Sequence, residues 1–200
     1  DRFIFTKVYD LPKYTTIAIG CGLSTKNRTR NALCYLLKHM DKPTVLDADA
    51  LNILGQSPDW FEYIPKGSIL TPHPKEFERM FGRASDNFER NQLQRSKAQE
   101  FGVYIILKGA NTCIATPDGT CYFNSTGNPG MGTAGSGDVL TGILTGLLAQ
   151  EYNPLEACLL GVYIHGLAGD IAAAEQSEES LTSGDLVRYL GKSFMQISNS

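Results

Sequence analysis

Four short apolar runs, separated by longer stretches of helical pattern, occupy residues 15–107, and this alternation constrains the fold more than any other feature of the chain. The runs are Thr15-Thr16-Ile17-Ala18-Ile19, Pro43-Thr44-Val45-Leu46-Asp47, Ser68-Ile69-Leu70-Thr71 and Val103-Tyr104-Ile105-Ile106-Leu107, and each reads as a strand. Residues 27–38, 74–81 and 86–101 suit helices. The last carries Asp86 and Glu89 in capping-box positions and Gly102 at its end. Strands alternating with helices imply an α/β fold with a mostly parallel sheet flanked by helices. The pattern then changes. Residues 112–116 and 120–124 flank Pro117-Asp118-Gly119, a β-hairpin signal. Three helical patterns follow, at 137–150, 154–176 and 184–197, with Asn153 capping the second and Pro154 at its first position. No repeat, low-complexity tract or linker breaks the chain, so residues 1–200 are expected to form one domain.

Composition removes several classes of function. Hydrophobic residues make up 42% and charged residues 20%, a balance that supports a core and not a disordered or fibrous chain. Eighteen Lys and Arg stand against 21 Asp and Glu, a net charge of −3 without any basic block, so no nucleic-acid partner is expected. The longest apolar stretches, residues 139–149 and 157–164, are interrupted by Gly, Thr or Tyr. They fall short of the roughly 18 apolar residues that cross a bilayer, so no membrane span is expected. The five cysteines, Cys21, Cys34, Cys113, Cys121 and Cys158, form no CxxC pair and are odd in number. That argues against a zinc site or a disulfide framework, and for a reducing, cytoplasmic setting. The start, Asp1-Arg2-Phe3-Ile4-Phe5, has neither an initiator Met nor a signal-peptide pattern, so the chain is expected to begin inside a longer protein.

The densest chemical information lies in Asn128-Pro129-Gly130-Met131-Gly132-Thr133-Ala134-Gly135-Ser136-Gly137-Asp138. Glycines at 130, 132, 135 and 137 let the backbone approach a partner closely. The run feeds a helix whose first amides carry partial positive charge, so the glycine run and the helix start together make an anion cradle suited to phosphate, with Gly135, Ser136 and Gly137 as nucleotide-binding candidates. Asp138 has the wrong charge for the cradle alone. It is either a stabilising first-turn residue or a base that takes a proton from a substrate hydroxyl attacking a phosphoryl group. No GxxxxGK[ST] motif is present. Gly130, Gly132 and Gly135 do satisfy GxGxxG, with Glu151 downstream, but no strand runs into them, so a dinucleotide-binding fingerprint is weak.

Other clusters follow the strand runs, where a parallel sheet places its sites. Gly20-Cys21-Gly22 admits a ligand or makes a tight turn. Asp47, Asp49 and Asn52 bind a hydroxyl or a hydrated metal, or cap the next helix. His73 lies between two prolines and so in an extended segment, and Glu76 either holds a magnesium water or is a first-turn acid. Lys108, followed by Gly109, Ala110, Asn111 and Thr112, meets a nucleotide phosphate or is an exposed strand-end lysine. His39, His165, the Met and aromatic residues and Cys21 read as structural.

Together, residues 18–23, 45–52, 70–77, 108–112 and 128–142 resemble the NAD(P)H-hydrate dehydratase family, a branch of the ribokinase-like superfamily. The resemblance implies an enzyme that repairs hydrated NADH and NADPH. A phosphoryl group passes from ADP or ATP to the hydrate hydroxyl, and phosphate is then eliminated. It places the hydrate near Gly22, His73 and Asp138, with Asp138 as base, and the adenine nucleotide against Lys108, Gly109, Ala110, Asn111, Thr112 and Gly137. The Thr71-Pro72-His73-Pro74 form is similar to the bacterial branch, which uses ADP and releases AMP. Mg2+, a homotetramer and a fused or separate epimerase domain are also implied. Family members carry a further β and α portion before the Ala18-Ile19-Gly20 segment, including a small-residue segment that helps bind the hydrate. The N-terminal part of the domain is therefore expected to be missing. Two other readings stay open: a ribokinase-like kinase of a sugar or vitamin precursor, and a nucleotide-binding module without catalysis.

Overall fold

Side chains alternate across a strand, and the two faces of the central sheet of this protein are apolar for that reason. A computed structural model describes residues 11–199; Asp1 to Phe5, on which the expected internal start turns, lie outside them. Strands β1 (Ala18–Ile19), β2 (Val45–Leu46), β3 (Ile69–Leu70), β4 (Tyr104–Leu107), β5 (Cys113–Ala115) and β6 (Cys121–Phe123) form one sheet in chain order. The first four are parallel, with Ala18 opposite Val45, Val45 opposite Ile69 and Ile69 opposite Tyr104; β5 and β6 return antiparallel as the expected hairpin.

Leu46, Leu70, Ile105 and Ala115 turn to one face. There they pack against α1 (Asn27–His39), α2 (Ala48–Gly55), α3 (Pro74–Phe81) and α4 (Asn87–Phe101). Val45, Ile69, Ile106 and Ile114 turn to the other face and meet α5 (Ser136–Ala149) and α6 (Pro154–Gln176). Adjacent parallel strands joined by crossovers of one hand keep their helices on one side, which leaves the second face to the C-terminal helices. A third cluster of Ala168, Ala172, Leu181, Leu186 and Tyr189 seats α7 (Ser183–Ser198) on α6.

Several local details differ from the sequence reading. The regular parts of β1 to β3 are two residues each, shorter than the apolar runs, although pairing continues through Val45 N to Ile17 O and Thr71 N to Leu46 O. Asp86 does cap α4, accepting from the Glu89 amide at 2.8 Å, but Glu89 returns to the Ser85 amide instead of that of Asp86. The side-chain and backbone hydrogen bonds from Ser85 hold the Glu89 carboxyl below its ordinary range. Gly102 ends the helix in the left-handed conformation, as expected. Helix α2, which the sequence analysis did not delimit, starts directly after β2. Helix α6 runs 23 residues and holds an 18-residue window of mean hydropathy 1.5, long and apolar enough by composition to cross a membrane. The interrupted runs in its sequence do not suggest this. Some 61% of that apolar window is buried within the fold, as in a core helix of a globular protein.

The turn after β1 is the tightest steric point near the carboxyl ends of the strands. Gly20 has φ +147, and a Cβ built there would stand 1.7 Å from the Asp47 carbonyl oxygen. Gly22, two residues on, has φ +68 but open space around it. Gly20→Ala is therefore expected to lower stability by roughly 3 kcal/mol or more, combining backbone strain with overpacking. Gly22→Ala should cost only about 1 kcal/mol. Urea unfolding midpoints of the two variants test the contrast.

Candidate functional site

Asp47 occupies the N-cap position of α2, yet its side chain makes no capping bond there. The buried carboxylate instead accepts from Lys108 Nζ through Oδ1 at 2.9 Å and from Thr141 Oγ1 through Oδ2 at 2.9 Å. One group thus ties together the carboxyl end of β2, the carboxyl end of β4 and the second turn of α5. The Lys108 side chain is 22% exposed, so it is not a solvated strand-end lysine. Its main-chain amide donates to Pro72 O at 2.9 Å, which brings the segment after β3 alongside. A Cβ at Gly137 would stand 3.2 Å from Lys108 Nζ and 3.6 Å from Asp47 Oδ2, so the first turn of α5 sits directly over the ion pair.

Asp138 lies in that first turn. One ligand atom each from Cys21, Asp47 and Asp138 lies within 4.8 Å of the other two. Cys21, read from the sequence as an inert structural residue, is exposed as a whole, although its thiol is turned toward the two carboxylates. Its thiol is pushed up to about 12, first by burial, then by its hydrogen bond to Asp138 and by the charges of Asp138 and Asp47. It is therefore a neutral thiol donor beside the Asp138 carboxylate.

The amide cradle is narrower than the glycine run suggested. Gly135 stands at the N-cap of α5 with φ +86 and no side-chain cap; Ser136 N donates to Thr133 O at 3.3 Å, which leaves the Gly137 amide, next along the helix, to an outside acceptor. Gly137 is kept small by Lys108 and Asp47. Gly130, by contrast, is required by a neighbouring loop: a Cβ there would lie 2.4 Å from Glu178 O. A Cβ at Gly132 would meet Pro129 O at 3.2 Å. Those two glycines serve chain packing, and the cradle is Gly135, Ser136 and Gly137. The Ser136 carbonyl lies 3.0 Å from Nε2 of His165, a ring whose pKa is lowered to about 4 by burial and by the charge of Lys108.

The remaining candidates separate into free and occupied groups. His73 caps α3, its Nδ1 accepting from the amides of Lys75 and Glu76 at 3.1 and 3.2 Å. Glu76 completes that capping box by accepting from the His73 amide at 2.8 Å, so the carboxylate offered for a magnesium water is engaged in a helix cap. Asp49 accepts from the Ser24 amide at 2.7 Å, and Asn52 from Arg79 Nη1 at 2.8 Å; both serve the scaffold. Gly109, Ala110 and Asn111 form an exposed turn, closed by Thr112 Oγ1 donating to Gly109 O at 3.1 Å. Thr141 and His165 were missed as site residues. Thr141 stands one turn beyond Asp138 on α5, a spacing that brings it to the same side of the helix.

Comparison with known proteins shows the family and the fold. A family model described as NAD(P)H-hydrate dehydratase matches residues 4–192. The bifunctional NAD(P)H-hydrate repair enzyme Nnr of Moorella thermoacetica is 43% identical over 90% of this chain and 34% of its own length. The crystal structure of the ADP/ATP-dependent NAD(P)H-hydrate dehydratase from Bacillus subtilis, co-crystallised with ATP/Mg2+, superposes with a TM-score of 0.79 at 33% identity, covering 91% of this chain and 64% of that one. A ribokinase-like superfamily protein from Enterococcus faecalis gives a TM-score of 0.72 at 30% identity, over 90% of this chain and 63% of that one. The chain spans between about a third and two thirds of these relatives.

Two outcomes test the electrostatics of the site. Lys108→Met strands a buried carboxylate, so it should cost about 3 kcal/mol in denaturant unfolding, part of which is recovered when Asp47→Asn is added. Cys21, with its thiol near 12, should have about one thiolate in ten thousand at pH 8 and alkylate slowly despite its exposure. Asp138→Asn removes a charge that raises that value, so the alkylation rate by iodoacetamide should increase.

Proposed function

The chain belongs to the NAD(P)H-hydrate dehydratase family, and on that premise we propose that it dehydrates hydrated NADH or NADPH at the expense of ADP, with ATP as the less favoured nucleotide. The observation that carries the proposal is the placement of the Asp138 carboxylate and an uncapped amide cradle in one helical turn, directly over Lys108. The chemistry needs those two functions together. A hydroxyl must lose its proton as it attacks a phosphoryl group, and the charge on that group must be met by fixed donors.

In this reading the hydrate hydroxyl enters between Gly22 and His73 and gives its proton to Asp138. The amides of Gly135, Ser136 and Gly137 receive the phosphoryl oxygens, and Lys108 adds a point charge. The nucleotide lies along Gly109, Ala110, Asn111 and Thr112. Transfer from ADP leaves AMP and a phosphorylated hydrate. Loss of phosphate then breaks the carbon–oxygen bond and restores the dihydronicotinamide. The Cys21 thiol donates to Asp138, which orients the carboxylate for the incoming hydroxyl.

Magnesium belongs to the proposal as a companion of the nucleotide phosphates, where it neutralises charge between them. The donor set fits that role better than a protein cage. Among the described residues, the cluster of Cys21, Asp47 and Asp138 offers a protonated thiol, a carboxylate already shared by Lys108 and Thr141, and the one carboxylate that the proposal uses as base. Magnesium prefers oxygen ligands and keeps several waters. The wider proposal includes a homotetramer, a cytoplasmic setting and an epimerase partner. The last is supported by the bifunctional relative from Moorella thermoacetica, of which this chain matches 34%.

The test follows the near-ultraviolet absorbance of the reduced nicotinamide as hydrated NADH is incubated with the protein, magnesium and either ADP or ATP. Absorbance should recover with ADP, with AMP and inorganic phosphate formed in step. Asp138→Asn should slow recovery by roughly a hundred- to ten-thousand-fold while nucleotide still binds. A stable phosphorylated product without recovery would identify a kinase. Nucleotide binding with neither product would identify a binding module.

A further inference from the structure

Helix α6 holds the glycine loop at both ends. Near the loop's start, Thr126 Oγ1 donates to Tyr163 O at 2.9 Å, and the Asp170 carboxylate accepts from Gly127 N at 2.8 Å and Asn128 Nδ2 at 3.0 Å. The helix is shaped to admit this contact. A Cβ at Gly166 would lie 2.2 Å from Thr126 Oγ1, and one at Gly169 would lie 2.4 Å from Met131 Sδ. Residues 163, 166 and 170 recur at helical spacing and present one face to the loop. At the loop's far end the contact is His165 Nε2 to Ser136 O at 3.0 Å, with Ser136 Oγ more distant at 3.4 Å.

We infer that His165 is a positioning residue for the anion cradle, donating Nε2–H to the Ser136 carbonyl and so fixing the direction of the Gly137 amide. This rests on the cradle assigned to phosphoryl transfer above. The carbonyl of Ser136 and the N–H of Gly137 belong to one trans peptide plane and point in opposite directions. A donor that holds the carbonyl from behind therefore aims the amide forward. Outside restraint matters here because the first turn of α5 starts from a glycine N-cap with φ +86 and no side-chain cap. The hydrogen bond also polarises the peptide group, which strengthens its N–H as a donor. A carbonyl oxygen only accepts, so this contact requires the proton on Nε2 and leaves Nδ1 bare. Burial and the charge of Lys108 keep the ring neutral down to about pH 4, so one tautomer performs the task across the working range.

The test compares His165→Gln, which returns an amide N–H at about the reach of Nε2, with His165→Leu, which does not. In the hydrate-repair assay, His165→Leu should lower kcat at least about tenfold with the KM for nucleotide little changed, and His165→Gln should stay within about threefold of the parent. No loss of kcat in a Leu variant that melts like the parent overturns the inference, and so does equal loss in both variants. Nitrogen-15 spectra of the imidazole in the full chain give a readout that needs no variant. The Nε2–H tautomer is expected, an Nδ1–H tautomer overturns the inference, and this measurement decides if His165→Leu fails to fold. If the parent binds adenine nucleotide but repairs no hydrate, the preceding proposal fails on its own. The inference is then judged by the imidazole tautomer alone: Nε2–H sustains it and Nδ1–H overturns it.

Discussion

The carboxylate of Asp47 is shared between Lys108 and Thr141, and the geometry of the site depends on that sharing. Its two partners lie 61 and 94 residues further along the chain, so no local segment can form it. Burying the Asp47 charge costs free energy that the pair recovers only with good geometry, and an apolar isostere can match such a pair in stability. What an apolar pair cannot supply is a direction. The ion pair sets the end of β4 against the end of β2, and the threonine sets α5 over both. Gly137 lies within close contact of Lys108 and Asp47 for the same reason: a side chain there would press on the ammonium group that the carboxylate holds.

The glycines around the site perform two different tasks, and only the three-dimensional arrangement separates them. Gly20 and Gly130 let one stretch of backbone pass another, at the Asp47 and Glu178 carbonyls respectively. Gly135 and Gly137 instead make room for side chains, Ser183 Oγ beside the first and Lys108 Nζ beside the second. A glycine-rich run is thus a poor guide to how many of its residues face a ligand. The same holds on α6, where Gly166 and Gly169 look like helix-weakening residues but make room for Thr126 and Met131.

The parallel sheet was legible because its strands are buried on both faces and alternate with helices, as Val45 and Leu46 illustrate. Given a parallel sheet, the position of Gly22, Asp47, His73 and Lys108 beyond strand ends followed from topology. The partners of those residues did not follow. Asp47 was equally readable as a helix cap, and its contact with Thr141 is set by how α5 crosses the sheet, which periodicity does not encode. Glu76 read as a holder of a magnesium water or as a first-turn acid, and its Oε2 accepts from the His73 amide, a capping contact that the sequence reading did not single out. His165 sits within an apolar helical pattern, so its sequence context points to the core. The residue is half-buried, and its bond to Ser136 depends on a loop that approaches from elsewhere in the chain.

The site lies where the two halves of the fold meet. Strands β1 to β4 bring Gly20, Asp47, Thr71 and Lys108 to one edge of the sheet, and α5 reaches that edge from the opposite face with its N-terminus forward. In the proposed function, phosphate would therefore meet amides from one half of the chain and a lysine from the other. A ligand held in this way binds the assembled state and not the separate halves, so its binding free energy adds to the stability of the whole. This coupling follows from the sheet order itself. The helices of the parallel strands cover one face, and the C-terminal helices, which carry the cradle and its support from His165, can reach the strand ends only by covering the other.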